Sequence, residues 1–250
     1  MILAEPPPSQ GDLHFSLLGF PVRIHPMFWL SAILLSNLQM KPIFVILWVV
    51  AMIVCILLHE LGHAVVMQAY GYRPSIVLYS FGGLAIPHPG RNGVRRPGPW
   101  GDMLIAFAGP ASGFLLAAVL ALGLHYLGGY RVAIFEPTWR DVVPQVTVPN
   151  HFLDVFIYFV LQISVMWGLL NLLPIYPLDG GQIVQQIFVM THPQDAIRQS
   201  LILSVIVGGM MAVIAFVQWH SFFLPVLFLW LTYSNYTALQ SYHGGSGGWR

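Results

Sequence analysis

Apolar residues occur in long blocks along this chain, separated by turns and short polar stretches. About 20 apolar residues, at a rise of about 1.5 Å each, cross the hydrocarbon core of a bilayer as a helix. The pattern therefore predicts an all-α polytopic membrane protein with about six transmembrane helices. The predicted spans are residues 26–38, 42–69, 102–127, 151–173, 198–218 and 221–240.

Two shorter stretches are typical of β-structure instead. Residues 13–25 contain two candidate strands that turn near Gly19, and an interfacial coil is the alternative. Residues 75–81 are rich in β-branched and aromatic residues and precede Gly82 and Gly83, which predicts a hairpin or re-entrant strand beside the second span. Non-helical backbone is tolerated at membrane depth only where protein covers it or where it lines a wet cavity. An ordinary connecting hairpin is the alternative.

The same pattern divides the chain into three parts. Residues 1–25 form an N-terminal segment with candidate membrane-surface strands. Residues 26–240 form a single transmembrane domain, and the glycine-rich residues 241–250 form a flexible tail.

Composition agrees with a membrane protein and excludes other classes. Hydrophobic residues make up 57% of the chain and charged residues only 8%, whereas soluble domains carry about 25% charged residues. The formal net charge of +1 provides no basic footprint for nucleic acid. Cys55 is the single cysteine, which excludes an internal disulfide and a cysteine-rich metal site. The lipid bilayer is therefore the expected environment.

The basic residues of the loops predict the orientation. Cytoplasmic loops are enriched in lysine and arginine, and six spans place both termini on one side of the membrane. That side would hold seven of the ten basic residues, so both termini are expected in the cytoplasm. The seven are Arg23, Arg73, Arg91, Arg95, Arg96, Arg198 and Arg250, and the other three are Lys41, Arg131 and Arg140.

The second predicted span contains the sequence His59-Glu60-Leu61-Gly62-His63, an H-E-x-x-H motif. Two histidines four residues apart lie on one helical face and can bind one zinc ion together. Glu60 lies beside them, where it can act as a general base in hydrolysis. Ionisable groups are costly at membrane depth, so this cluster indicates a functional site. The alternative is a pair of histidines that backbone groups satisfy at a helix end.

A second polar constellation follows the fourth predicted span. Pro174 and Pro177 end the helix, and Asp179 lies two residues after Pro177. Catalytic zinc usually has three protein ligands, and H-E-x-x-H supplies two, so Asp179 is the candidate for the third; a cap of the next helix is the alternative. Asn171 can donate a hydrogen bond to a carbonyl or an oxyanion, or it can serve helix packing.

These motifs together resemble a known family, the site-2 proteases, which are intramembrane zinc metalloproteases. The resemblance rests on H-E-x-x-H at residues 59–63 and on N-x-x-P-x-x-P-x-D-G at residues 171–180. Shorter similarities extend it over roughly residues 13–183, and they lie at residues 19–26, 81–83 and 108–110. The chain resembles a minimal member of the family, without a PDZ domain or a CBS module.

The resemblance implies that residues 26–240 form the catalytic domain. It also implies roles for individual residues of that domain. One zinc ion per chain would be bound by His59, His63 and Asp179. Glu60 would be the general base, and Asn171 would hold the substrate or the developing oxyanion. Family members often carry an asparagine three positions after the proline of Ala-Gly-Pro. Here that position is a glycine at residue 113, so this polar contact is not expected.

The resemblance also implies cleavage of a peptide bond in or near a transmembrane segment of another membrane protein, for example a membrane-tethered regulator. The strand segment would hold the unwound substrate in an extended form, with Phe81, Gly82 and Gly83 as substrate-binding residues. A prokaryotic inner membrane is the expected location.

Two other functions use the same residues without hydrolysis: an inactive homologue that binds membrane partners, and a zinc-binding or transport protein. Transport needs ligands along a path across the bilayer, whereas the ionisable groups of this chain cluster near one side of the membrane.

Overall fold

The computed structural model describes residues 5, 7–36, 41–80, 82–90, 97–128, 132–133, 145–146, 150–218 and 223–244. Among the residues named in the sequence analysis, several lie outside this description: Phe81, Arg91, Arg95, Arg96, Arg131, Arg140 and Arg250.

Helices dominate the described part of the chain. They are α1 (Pro26–Leu35), α2 (Pro42–Ala69), α3 (Gly98–Gly128), α4 (His151–Asn171), α5 (Asp179–Thr191), α6 (Ala196–Gln218) and α7 (Phe223–Gly244). The strands are β1 (Leu13–Leu17), β2 (Phe20–Ile24), β3 (Ser75–Tyr79), β4 (Gly82–Ile86), β5 (Val132–Ala133) and β6 (Gln145–Val146). Helix α7 continues to Gly244, into the segment that was expected to form a flexible tail.

Four of the described helices are long and apolar enough to cross a membrane: α2, α3, α4 and α6. Helix α1 is apolar but has only 10 residues, which span about 15 Å of the roughly 30 Å of hydrocarbon. Helix α7 has 22 residues and is not one of the four. The expected mostly helical membrane protein is therefore confirmed, and the count of six spans stays a prediction.

Strands β1 to β4 form one sheet in the order β1-β2-β3-β4. Strands β1 and β2 pair as an antiparallel hairpin, and Gly19 in its turn has a φ of 86°, which glycine adopts readily. Strands β3 and β4 form a second antiparallel hairpin, and the parallel pairing of β2 with β3 joins the two hairpins. Both predicted strand segments are confirmed, and the interfacial coil is excluded for residues 13–25.

The chain packs as two compact units. We call Glu5–Arg96 with Ala108–Leu169 the sheet unit, because it contains the four-stranded sheet together with α1 and α2. We call Pro97–Phe107 with Leu170–Arg250 the α5–α7 unit after its three complete helices. The expectation of a single transmembrane domain over residues 26–240 stays a prediction.

The core of the sheet unit lies where the sheet packs with α2. Ile76 and Leu78 on β3 are completely buried, and Val22 on β2 is nearly so. They cluster with Phe28 of α1 and Ile56 of α2. A strand that is buried on both faces carries consecutive apolar residues, as β3 does. This packing anchors the sheet on the half of α2 that carries the H-E-x-x-H motif.

A buried arginine ties the N-terminal segment to the sheet. The Arg23 guanidinium on β2 lies 3.0 Å from Asp12 Oδ2 and 2.9 Å from Glu5 Oε1. Ser9 donates to the same Asp12 carboxylate from its hydroxyl, at 2.7 Å, and from its backbone N–H, at 3.0 Å. The hydrogen bonds from Ser9 first, and then the Arg23 guanidinium, hold the pKa of Asp12 well below its usual range.

We expect Asp12→Asn to lower the thermal unfolding midpoint at neutral pH and to lower it by less at acidic pH. A folded-state pKa below the unfolded value stabilises the fold above the unfolded pKa, and this contribution disappears as pH falls through the folded pKa. The difference in thermal unfolding midpoint between wild type and Asp12→Asn should be constant between about pH 5 and 7 and should become smaller below about pH 4. Thermal melts of the detergent-purified proteins measure it. A gap of the same size at about pH 2.5 would contradict the expectation.

Candidate metal centre

His59 and His63 lie one helical turn apart on α2 and direct their rings to the same place. Their Nε2 atoms are 3.2 Å apart, and the ring planes meet at 80°. Two imidazoles on a tetrahedral zinc ion, with bonds of about 2.05 Å, have nitrogens about 3.3 Å apart. The spacing of the two histidines therefore fits joint ligation of one zinc ion.

Glu60 completes a compact group with the two histidines. His59, Glu60 and His63 expose 3%, 5% and 7% of their surfaces. One ligand atom from each lies within 4.8 Å of the others. Burying three ionisable groups is costly unless they are paired or bind a metal, and two imidazoles with a carboxylate are a donor set that zinc accepts. The structure thus brings these three predicted site residues together.

The backbone of α3 lies directly against the histidine nitrogens at Gly109. A Cβ atom at this position would lie 2.7 Å from His59 Nε2 and closer still to His63 Nε2. A Cβ atom essentially never lies within 3.0 Å of a heavy atom from another part of the chain. Glycine therefore leaves the space at the two nitrogens that any alanine or larger residue would fill.

A second glycine allows α2 and α3 to approach so closely. A Cβ at Gly62 would lie 2.9 Å from both the Ala108 carbonyl carbon and the Ser112 hydroxyl. The Ser112 hydroxyl is 3.0 Å from Leu58 O and also contacts a carbonyl of its own helix. The backbones of α2 and α3 are therefore in close contact beside the H-E-x-x-H motif, and this contact keeps α3 against the histidines.

Strand β4 approaches Glu60 from the sheet. A Cβ at Gly83 would lie 2.7 Å from Glu60 Cδ and Oε1, and a Cβ at Gly82 would lie 3.2 Å from the Trp167 ring. Strand β4 is the terminal strand of the sheet order, with β3 on one side. The predicted strand element therefore lies beside the candidate general base. The third predicted residue of this segment, Phe81, is outside the described residues.

Asn171 and Asp179 belong to the α5–α7 unit. Asn171 is the last residue of α4 and is half-buried. Asp179 is the first residue of α5 and exposes 7% of its surface. Leu178 occupies the N-cap position, so Asp179 is not the N-cap residue that the capping alternative required. The roles of Asp179 as a ligand and of Asn171 at the oxyanion stay predictions.

A sequence profile decides the family. The profile of peptidase family M50 matches residues 47–216, which contain the H-E-x-x-H motif and Asp179. The chain belongs to peptidase family M50.

This M50 chain is 26% identical, over 69% of its length, to a zinc metalloprotease of Methanocaldococcus jannaschii. It is 27% identical, over 72% of its length, to the stage IV sporulation protein FB of Bacillus subtilis. It covers 44% and 52% of these relatives, so it spans about half of their lengths.

A solved structure has the same fold as this M50 protein. The site-2 protease from Methanocaldococcus jannaschii superposes with a TM-score of 0.59, at 21% identity, and the match covers 91% of this chain and 95% of that one. The resemblance to site-2 proteases is therefore confirmed at the level of family and fold.

Two features of the centre were not predicted from the sequence. In the sequence, Gly109 is only part of the short similarity at residues 108–110, and the structure adds that it faces His59 and His63. Gly83 was noted as a substrate-binding residue, and the structure adds that it contacts Glu60. The signal lay in the short Ala-Gly-Pro and Phe-Gly-Gly similarities, but a glycine motif does not specify which atoms approach it.

Proposed function

We propose that this M50 chain is an intramembrane zinc metalloprotease that hydrolyses peptide bonds in or near transmembrane segments of other membrane proteins. The observation that supports this most directly is the pair of imidazole nitrogens 3.2 Å apart beside Glu60, within an apolar helix long enough to cross a membrane. The zinc metalloprotease among its relatives supports the same chemistry.

One zinc ion per chain would be held by His59 and His63, and Asp179 would supply the third protein ligand. Catalytic zinc sites usually have three protein ligands and keep one position open for water or substrate. When bound, zinc polarises the scissile carbonyl and activates water for attack. The assignment of Asp179 is supported by the number of ligands that such a site needs and by the position of Asp179 in the second motif.

Glu60 would accept the proton of the attacking water and later deliver it to the leaving amine. Its carboxylate is confined between α2 and the Gly83 backbone, which restricts the orientations it can adopt. Asn171 would donate its side-chain amide hydrogens to the substrate carbonyl as negative charge develops on the oxygen.

The substrate would be bound as an extended strand. A carbonyl within a transmembrane helix is hydrogen-bonded and shielded, so the helix has to unwind locally before hydrolysis. An edge strand offers main-chain hydrogen bonds to an extended peptide, and β4 lies at the sheet edge beside Glu60. Phe81, Gly82 and Gly83 would therefore bind the unwound segment. A membrane-tethered regulator is the class of substrate that we infer.

The protein would lie in a prokaryotic inner membrane with six spans and both termini in the cytoplasm. The four long apolar helices support insertion in a bilayer. The excess of lysine and arginine in one set of loops supports the orientation.

Zinc content of the detergent-purified protein tests the metal centre. We expect about one zinc ion per wild-type chain and a sharp loss in Asp179→Ala, because two histidines alone bind zinc weakly. Asp154→Ala is the matched control, since Asp154 lies in the first turn of α4 as Asp179 does in α5. Equal zinc in wild type and Asp179→Ala would remove Asp179 from the ligands. A folded wild type without zinc would favour the inactive homologue, with a direct N–H···N hydrogen bond between the histidines.

A further inference from the structure

The segment that joins α4 to α5 is held at one residue by side chains from α6 and α7. The Ser204 hydroxyl accepts a hydrogen bond from the Tyr176 N–H at 2.8 Å and donates to Ser200 O at 2.8 Å. The Asn235 amide Nδ2 donates to the Tyr176 carbonyl at 2.5 Å and to Leu231 O at 2.8 Å. Both backbone groups of Tyr176 are thus satisfied by side chains. We call this arrangement the Tyr176 clamp.

The Tyr176 clamp is polar in an otherwise apolar environment. Ser204 and Asn235 are completely buried, and the neighbouring cluster consists of Ile175, Ala212, Ala215, Phe228 and Leu231. No described residue donates a hydrogen bond to Asn235 Oδ1, which is also buried. Burying an amide oxygen in this way is unfavourable, and an apolar side chain of the same size would avoid the cost. The benefit of the amide therefore lies in the hydrogen bonds from Nδ2, and of these only the bond to Tyr176 joins α7 to another segment.

Short backbone contacts connect the Tyr176 clamp to Asp179. The Leu178 N–H donates to Ile175 O at 2.8 Å, which closes the turn just before α5. A Cβ at Gly181 would lie 2.5 Å from Ile175 O and closer still to Tyr176 N. The first turn of α5 therefore rests on the backbone of Ile175 and Tyr176. A displacement of Tyr176 would therefore be transmitted to the first turn of α5, which contains Asp179, through these backbone contacts.

We propose that Ser204 and Asn235 are positioning residues for Asp179. By fixing the N–H and the carbonyl of Tyr176, they hold the start of α5 and keep the Asp179 carboxylate in the geometry that binds the metal. This inference rests on the proposed function, in which Asp179 is the third zinc ligand. Asn235 lies beyond residue 216, where the match to family M50 ends, so the family motifs do not contain it.

We expect Ser204→Ala and Asn235→Leu each to raise the zinc dissociation constant about tenfold, the lower end of the range for groups that orient metal ligands. Ser204→Thr retains a hydroxyl and should bind zinc more tightly than Ser204→Ala. Ser200→Ala is the matched control, because it removes a buried serine hydroxyl one turn away on α6 that makes no described hydrogen bond to Tyr176. This control should bind zinc as wild type does.

The experiment uses the full chain in detergent, with zinc affinity measured by competition with a chelator. The visible absorption of the cobalt-substituted protein gives a second readout, since it reports the number and geometry of the ligands. We expect a changed cobalt spectrum in Ser204→Ala and Asn235→Leu. A lower thermal midpoint with wild-type zinc affinity and a wild-type cobalt spectrum would mean a structural role only and would overturn the proposal.

Asp179→Ala separates failure of this inference from failure of the proposed function. If Asp179→Ala binds zinc as tightly as wild type, then Asp179 is not a ligand and both proposals fail. If Asp179→Ala loses zinc while Ser204→Ala and Asn235→Leu keep wild-type affinity, the ligand assignment stands and the positioning role of the Tyr176 clamp is overturned.

Discussion

Glu60→Gln is expected to keep its zinc and to lose cleavage of transmembrane substrates. Glutamine has nearly the shape of glutamate, so His59 and His63 keep their places and the contact with Gly83 is retained. Its amide cannot accept a proton, however, and loss of a general base costs about 10²–10⁴-fold in rate. Wild type and Glu60→Gln would be reconstituted in liposomes with a panel of single-span test proteins that carry a helix-breaking Asn-Pro pair at mid-span. Cleavage products on gels and zinc content are the two measurements.

The matched control is Glu5→Gln, which makes the same chemical change at a glutamate that pairs with Arg23. It should cleave the test proteins as wild type does. Wild-type cleavage by a zinc-loaded Glu60→Gln protein would remove Glu60 from the role of base. Loss of zinc in Glu60→Gln would instead assign Glu60 to the ligands. A zinc-loaded wild type that cuts none of the panel would favour the inactive homologue or the zinc-binding protein.

Gly109→Ala is expected to abolish zinc binding, although it adds a single methyl group. The new Cβ would lie 2.7 Å from His59 Nε2 and closer to His63 Nε2, so it would occupy the space of the ion. Gly123→Ala is the matched control on the same helix, because a Cβ there meets no atom within 4 Å. Both changes should raise the helix propensity of α3 equally, by roughly 1 kcal/mol. They therefore differ chiefly in their distance from the histidines.

Zinc per chain after dialysis, measured beside the thermal unfolding midpoint, tests this expectation. Gly123→Ala should retain about one zinc ion, and Gly109→Ala should retain almost none while it stays folded. A zinc-replete Gly109→Ala protein would show that α3 or the histidine rings move aside, and the close approach seen here would then not limit the metal site.

The long helices and the histidine pair could be predicted from the sequence because both depend on local properties. The second span was expected at residues 42–69, and α2 is Pro42–Ala69. An apolar block of that length has few alternatives to a transmembrane helix. The helical period of 3.6 residues places His59 and His63 on one face wherever the helix packs. The proximity of the two candidate ligands is therefore a property of the motif itself.

The strands could be predicted only in part. Their composition indicated β-structure at residues 13–25 and 75–83, and Gly19 marked a turn. The parallel pairing of β2 with β3 joins segments more than 50 residues apart, with Val22 opposite Ile76. Such a register depends on how α1 and α2 return the chain to the sheet, and no local pattern records it. The shortness of α1, by contrast, agrees with the sequence, because the first apolar block at residues 26–38 is already shorter than the roughly 20 residues that cross a bilayer.

The sequence by itself determined the membrane class, the grouping of His59 and His63 on one helical face, and the family, since residue type and spacing carry that information. The tertiary structure alone decided what surrounds the motif. Gly109 and Gly83 have no side chains, so their importance arises from atoms of α2 that lie close in space. Ser204 and Asn235 are isolated polar residues in apolar helices, and no spacing rule connects them to Tyr176. Contacts between distant segments depend on packing, which is why only the folded chain reveals them.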